Sequence, residues 1–284
     1  MTPYRLFSMA RLALSGAVSL LALACRNDAA RAPNPTGYGW PQQFAYRVDY
    51  VSQTQQSGRP ILHYAETKTT RFVLRDALYV GVQDSVMKTT QRPGEPLRQL
   101  AYAPEDTLGF FASLGRRGEI TRVQLACDPA LPACAAALPS SVALELRRFI
   151  PRLPIWEAPL GATWDDTLEF DDTARPGGTR GAMLTRYTGH GDTVIAGRAY
   201  WVISWHSARH SAEGRGAAPG APIREDGMTF VEKARLVPVF ATWAGAVPAS
   251  QELRALGATG TGYRGRAYLA GSVFDSLYSG QVRP

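Results

Sequence analysis

The chain has 284 residues, with 31 Lys and Arg against 24 Asp and Glu and a formal net charge of +7. That length is enough for a large core, in one domain or two closely packed halves. Nearly all the positive charge is arginine, scattered among Asp and Glu, and this excludes a clustered nucleic-acid-binding patch.

The first 24 residues have three parts. Arg5 and Arg11 give a positive start without an acid, Leu12 to Leu23 are apolar or small, and Ala22-Leu23-Ala24 precede Cys25. This is the layout of a secretory signal peptide over residues 1–24. The apolar run is about 13 residues, short of the ~20 that a spanning helix needs. Its removal lowers the formal charge to +5. Residues 25–41 then read as a flexible tether, because "RNDAARAPNPTGYGWP" has polar, Gly and Pro character and no periodicity. A flexible chain of that length averages roughly 20–25 Å end to end.

Ala22-Leu23-Ala24 is an A-x-A site that an ordinary signal peptidase could cut. The segment Leu21-Ala22-Leu23-Ala24-Cys25 also resembles the lipobox of bacterial lipoproteins, although Ala22 stands where leucine is commonest. That resemblance implies a lipid on Cys25 and a membrane partner reached through it. Two or three acyl chains anchor firmly, at ~0.8 kcal/mol per buried CH₂. In that family Arg26, in place of an aspartate, favours the outer membrane. With Cys25 lipidated, Cys127 and Cys134 in "ACDPALPAC" remain as a pair. In an oxidising compartment such a pair is expected to close as a disulfide. Two free thiols or half of a metal site are the alternatives, and no histidine is near in sequence.

The β-rich domain is expected over 42–284, with halves at 42–150 and 151–284. "FAYRVDY" alternates with period two and opens the first strand. "ILHYAETKTTRFVL" and "ALYVGVQDSVMKTT" read as long strands joined near Arg75-Asp76. "GFFASLGRRGEITRVQL" reads as a hairpin turning near Arg117-Gly118. "SSVALELRRFI" is the one expected helix. It has a serine N-cap candidate, and Val142, Leu146, Phe149 and Ile150 fall on one face. After the proline-rich "PRLPIWEAPLGATW", five further strand-like runs follow: "TWDDTLEF", "AMLTRYTG", "DTVIAGRAYWVISWHS", "MTFVEKARLVPVFATW" and "GRAYLAGSVFDSLYSG". Residues 207–227 carry no pattern and are expected as a long loop. Short links between long strands argue an antiparallel, curved sheet or half-barrel.

Four patterns look like chemistry. Gly260-x-Gly262-x-x-Gly265 matches a dinucleotide fingerprint, but a strand-like run follows it where a helix is needed, so a glycine-rich turn explains it. Ser85-x-x-Lys88 needs a helix to bring its two groups to one face, and here it lies in a strand-like run. His206 and His210, with Glu213 beyond, have zinc-like spacing only on a helix and are expected to be solvated. Asp165, Asp166, Glu169, Asp171 and Asp172 lack the spacing of a calcium loop. No metal, no cofactor and no catalytic residue is therefore expected. Trp201 and Trp205, alternating with Ile203, and Trp243 are either core or the lining of an apolar pocket.

A tethered lipoprotein with a long-stranded antiparallel sheet and a small helix resembles the LolA/LolB-like carriers, whose open β half-barrels bind acyl chains under a helical lid. The resemblance rests on the lipobox and the architecture. It implies a non-enzymatic envelope lipoprotein taking an apolar or acyl ligand. A structural or partner-binding lipoprotein with a solid core is the alternative.

Overall fold

The computed structural model describes residues 37–56, 59–75, 78–100, 107–154, 160–174, 178–212, 222–248 and 258–278. The expected signal peptide, residues 1–24, and the first twelve residues of the expected tether, Cys25 among them, lie outside these.

Twelve strands form one antiparallel sheet, nearly closed into a barrel. In chain order they are β1 (Gln43–Gln56), β2 (Arg59–Arg75), β3 (Leu78–Gln91), β4 (Arg98–Leu100), β5 (Leu108–Leu114), β6 (Ile120–Leu125), β7 (Thr163–Asp171), β8 (Arg180–Ile195), β9 (Arg198–Ala212), β10 (Ile223–Glu232), β11 (Val237–Pro248) and β12 (Ala258–Leu269). The spatial order is β6-β5-β3-β2-β1-β12-β11-β10-β9-β8-β7, with β4 on the side of β3. Two meanders are thus joined at their centre by the first and last strands. The register Tyr46↔Leu269 through Thr54↔Thr261 makes that seam.

The helices among the described residues are α1 (Pro132–Ala136), α2 (Pro139–Phe149) and α3 (Val273–Tyr278), three where one was expected. The link between the meanders carries α2 through the concave side, where it touches the edge strands β6 and β7 and, between them, β11. Filling this gap buries Val142, Leu146 and Phe149. Ser140 does not cap the helix as expected. Leu138 is the N-cap and Pro139 the first helical residue, a position where a missing N–H costs nothing. The carboxylate of Asp172, from the end of β7, accepts the Ser140 N–H instead. Asp172 is thereby spent on the helix N-terminus, where a negative charge is stabilising.

The core is an aromatic lining of the concave face. Phe44 stacks on Phe72 at 4.6 Å between ring centroids, and Tyr46 meets Phe149 of α2 at 4.6 Å. On the C-terminal side Trp164 stacks on Tyr187 and Trp201. The opposite face has its own small cover, because Phe274 of α3 packs on Tyr200, Phe230 and Phe240. This segment was expected to be strand throughout. Gly271, at φ 75°, lets the chain leave β12 and turn into α3.

Two other expected strands are hairpins. "DTVIAGRAYWVISWHS" breaks at Ala196-Gly197, both with positive φ, the backbone that suits a two-residue hairpin loop. "MTFVEKARLVPVFATW" turns over residues 233–236, with Leu236 at φ 52°. The expected loop 207–227 is much shorter, since β9 runs to Ala212 and β10 starts at Ile223. The end of the expected tether is docked. Tyr38 is buried and donates to the Pro151 carbonyl at 2.9 Å, and Trp40 Nε1 donates to the Gly115 carbonyl at 2.9 Å. This strap crosses the end of the sheet where the β5–β6 and β10–β11 turns lie, bonded to Arg116 and Leu236 of those turns.

Candidate functional site

At the opposite end, β1, β2, β9, β11 and β12 run on past the core. A cleft of about 200 Å³ opens there between the inner face of the strands and α2. Val48, Trp243 and Val247 form its apolar wall, with the rings of Tyr50 and Tyr263 beside them. Glu66, Lys68, Glu145, Arg148 and Arg209 bring five charges to the same space. Ligand pockets for drug-sized molecules hold roughly 300–1,000 Å³. This cleft therefore suits a small group and not a whole long acyl chain.

The charges are placed by simple periodicity. On β1, Tyr46, Val48 and Tyr50 alternate inward. Val48 opposes Lys68 and Tyr50 opposes Glu66, so both charged residues of β2 also face inward. On α2, Glu145 and Arg148 are three apart and share one side of the helix. Lys68 Nζ lies 3.6 Å from Glu145 and 3.5 Å from Glu66. Gln83 Nε2 also donates to Glu145, at 2.8 Å. The nearby Glu145 and Glu66 charges raise the Lys68 ammonium, against the burial that would lower it.

Arg148 makes the stronger contact. Its Nε donates to Glu225 Oε2 at 3.0 Å and its Nη2 to Oε1, a two-pronged pair that joins α2 to β10. The guanidinium lies 5.8 Å from the Trp243 ring and 5.7 Å from the Tyr263 ring. The Tyr263 hydroxyl donates to the same Glu225 carboxylate. Burial alone would raise the Glu225 carboxyl, but the bonds and charge of Arg148, helped by Tyr263, hold it below its ordinary value. Burial and the Glu225 charge push the Tyr263 hydroxyl up. Arg209 faces this pair from β9. Among the described residues its side chain makes no hydrogen bond or ion pair, and burial together with the Arg148 charge lowers its hold on its proton.

The tryptophans divide. Trp201 is fully buried against Trp164, and Trp205 is 5% exposed with its indole laid over Gly227. Trp243 lies over Gly265 in the same way and is 3% exposed, but one side borders the cleft. Of the three, only Trp243 lines this cleft among the described residues, and the glycines let Trp205 and Trp243 lie flat against the sheet. Gly265 therefore has a packing role. The Gly260, Gly262, Gly265 pattern lies inside β12 and is not a turn, with a bulge against Gln55–Gln56 at its start.

The other motif residues scatter. Ser85 and Lys88 lie on strand β3. His206 and His210 are both on β9, not in a loop, and His206 Nδ1 is 2.7 Å from Asp226 on the outer face. Glu213 lies outside the described residues. Among those described, no three His, Cys, Asp or Glu side chains form a group that could hold a metal ion. The acidic cluster is dispersed: Asp165 pairs with Arg186, Asp171 with Arg180, and Asp166 lies 3.3 Å from the buried Arg147. Cys127 and Cys134 form a disulfide with Cα atoms 5.9 Å apart, joining the end of β6 to α1.

Sequence reading did not single out the charged residues of the cleft. The signal was present as charge at inward positions of alternating strands: Glu66 and Lys68 beside Tyr50 and Val48, and Arg209 in step with Trp201 and Trp205. Recognising it needed the register.

No helix of the described residues is long and apolar enough to cross a membrane. No protein-family model matches the chain, and no curated protein matches it either. Among solved structures, Pseudomonas aeruginosa OccK2 (OpdF) aligns at 9% identity and a TM-score of 0.18. The alignment covers 72% of this chain and 64% of that one, less than two thirds of its length. A likeness that slight assigns neither fold nor role.

Proposed function

We propose that this is an exported, lipid-anchored protein of the cell envelope that binds a small amphiphilic molecule at the open end of its nearly closed barrel and does not catalyse a reaction. The observation that carries the binding role is the cleft itself, where an apolar and aromatic wall meets a charged floor. The Leu21–Cys25 segment supports the anchor, and the Cys127–Cys134 bond suits an oxidising compartment. The docked strap at Tyr38 and Trp40 supports an orientation as well. It brings the chain that leads to Cys25 in at the end opposite the cleft.

Hexyl-chain amphiphiles with neutral, anionic and cationic heads test this reading. At least one should bind saturably to the full chain and change tryptophan emission, and Trp243→Phe should remove most of the change. Burial of Trp201 and Trp205 in a dense core favours the second reading, a structural or partner-binding lipoprotein. That reading stands if none of the three amphiphiles binds.

A further inference from the structure

We infer that the cleft seats the carboxylate of a small amphiphilic anion between the guanidinium groups of Arg148 and Arg209. This rests on the ligand-binding reading above and names the ligand's head group.

Donors and acceptors do not balance on the β9 side of the cleft. Glu225 already accepts from Arg148 Nε, Arg148 Nη2 and the Tyr263 hydroxyl. Arg148 Nη1 is left over, and Arg209 has no acceptor among the described residues. Trp243 Nε1 is buried without an acceptor as well, but it lies over Gly265, and Trp201 and Trp205 share that state in the core. Two arginine forks that reach the cleft with donors to spare can hold an acceptor supplied from outside.

The charges agree with the donor count. Two guanidinium groups face one carboxylate, which leaves one positive charge in a half-buried space. Their mutual repulsion contributes to the lowered proton affinity of Arg209. A single negative charge cancels that local excess on the β9 side, while over the whole cleft Lys68, Arg148 and Arg209 already balance Glu66, Glu145 and Glu225. A dianion would overshoot it, with Glu66 and Glu145 across the cleft. The far side offers no rival seat for an anion, because Lys68 is already shared by Glu66 and Glu145. A carboxylate also matches the planar donor fork of arginine. Beyond it, Val48 and Val247 offer apolar contact to a short tail.

Calorimetric titration of the full chain with hexanoate and with hexan-1-ol, at matched ionic strength, tests the seat. Hexanoate should bind at least about tenfold more tightly than the alcohol, which corresponds to about 1.4 kcal/mol. Arg209→Met should erase that preference, and Arg209→Lys should keep part of it. Unfolding curves of both variants would establish that they are folded. Equal binding of acid and alcohol by the native chain would overturn the carboxylate seat while leaving the ligand-binding reading intact. Failure of both probes to bind would overturn the two together. A preference that survives in folded Arg209→Met would remove Arg209 from the site.

Discussion

Arg148→Met removes the two-pronged ionic contact between α2 and β10. Methionine retains an apolar stem against Trp243 and Tyr263 but cannot neutralise Glu225. The Glu225 side chain is 8% exposed and that of Arg148 is 21% exposed, so the pair sits largely out of water. Removing one partner of a buried pair typically costs about 3–5 kcal/mol, because the other charge is left uncompensated. Tyr263 still donates to Glu225 and Arg209 is still near, so the lower end, about 3 kcal/mol, is expected at pH 7. The pH dependence carries the sign. In the native chain the folded Glu225 carboxyl is held below its unfolded value of about 4.3. Its contribution is therefore present above that pH and lost as pH falls through the lower folded value. In Arg148→Met, burial is no longer outweighed and the carboxyl rises. The variant can then escape its penalty by taking up a proton. Urea unfolding of both chains at pH 7 and pH 4 should show the difference shrinking at the lower pH. Adding Glu225→Gln should restore much of the loss at pH 7. A loss under about 1 kcal/mol at pH 7 would refute the reasoning, since exposed pairs contribute that little. A loss of equal size at both pH values would refute it too.

Three further outcomes follow from other parts of the chain. Cys127 and Cys134 should resist alkylation in exported protein until reduced, and replacing both with alanine should cost no more than about 2–3 kcal/mol, because the closed loop is short. Free thiols in native material would contradict the bond. Gly265→Ala should destabilise by about 1–3 kcal/mol, since its Cβ would lie 2.3 Å from Trp243 Cζ2 and the indole must lift from the sheet. Chemical denaturation read by tryptophan emission checks this, and an unchanged midpoint would show that the indole moves freely. Labelled palmitate should enter the native protein and not Cys25→Ser, and label retained in the variant would remove Cys25 as the anchor.

Local sequence alone determined the long strands, the β5–β6 hairpin, the position of α2, and the pairing of two cysteines seven residues apart. Each rests on a pattern carried by neighbouring residues: period two in "FAYRVDY", a one-sided face in "VALELRRF", a short loop between thiols. The breaks inside "VIAGRA" and "VEKARLVP" escaped it. Ala196 and Leu236 adopt positive φ although neither residue prefers it, so the turn is imposed by the pairing of the strands on either side. Only the tertiary structure decided what the charges do. Asp172 is an acid in a run of acids until the end of β7 meets the start of α2. Glu225 and Arg148 are 77 residues apart in sequence, and only their shared place inside the barrel makes them a pair. The cleft depends on the β1–β12 seam, which joins the two ends of the folded chain. Hydrophobic period is a property of adjacent residues and can be read locally. An electrostatic site is a property of residues brought together by register, and a shift of one residue would turn Glu66, Lys68 and Arg209 to the opposite face.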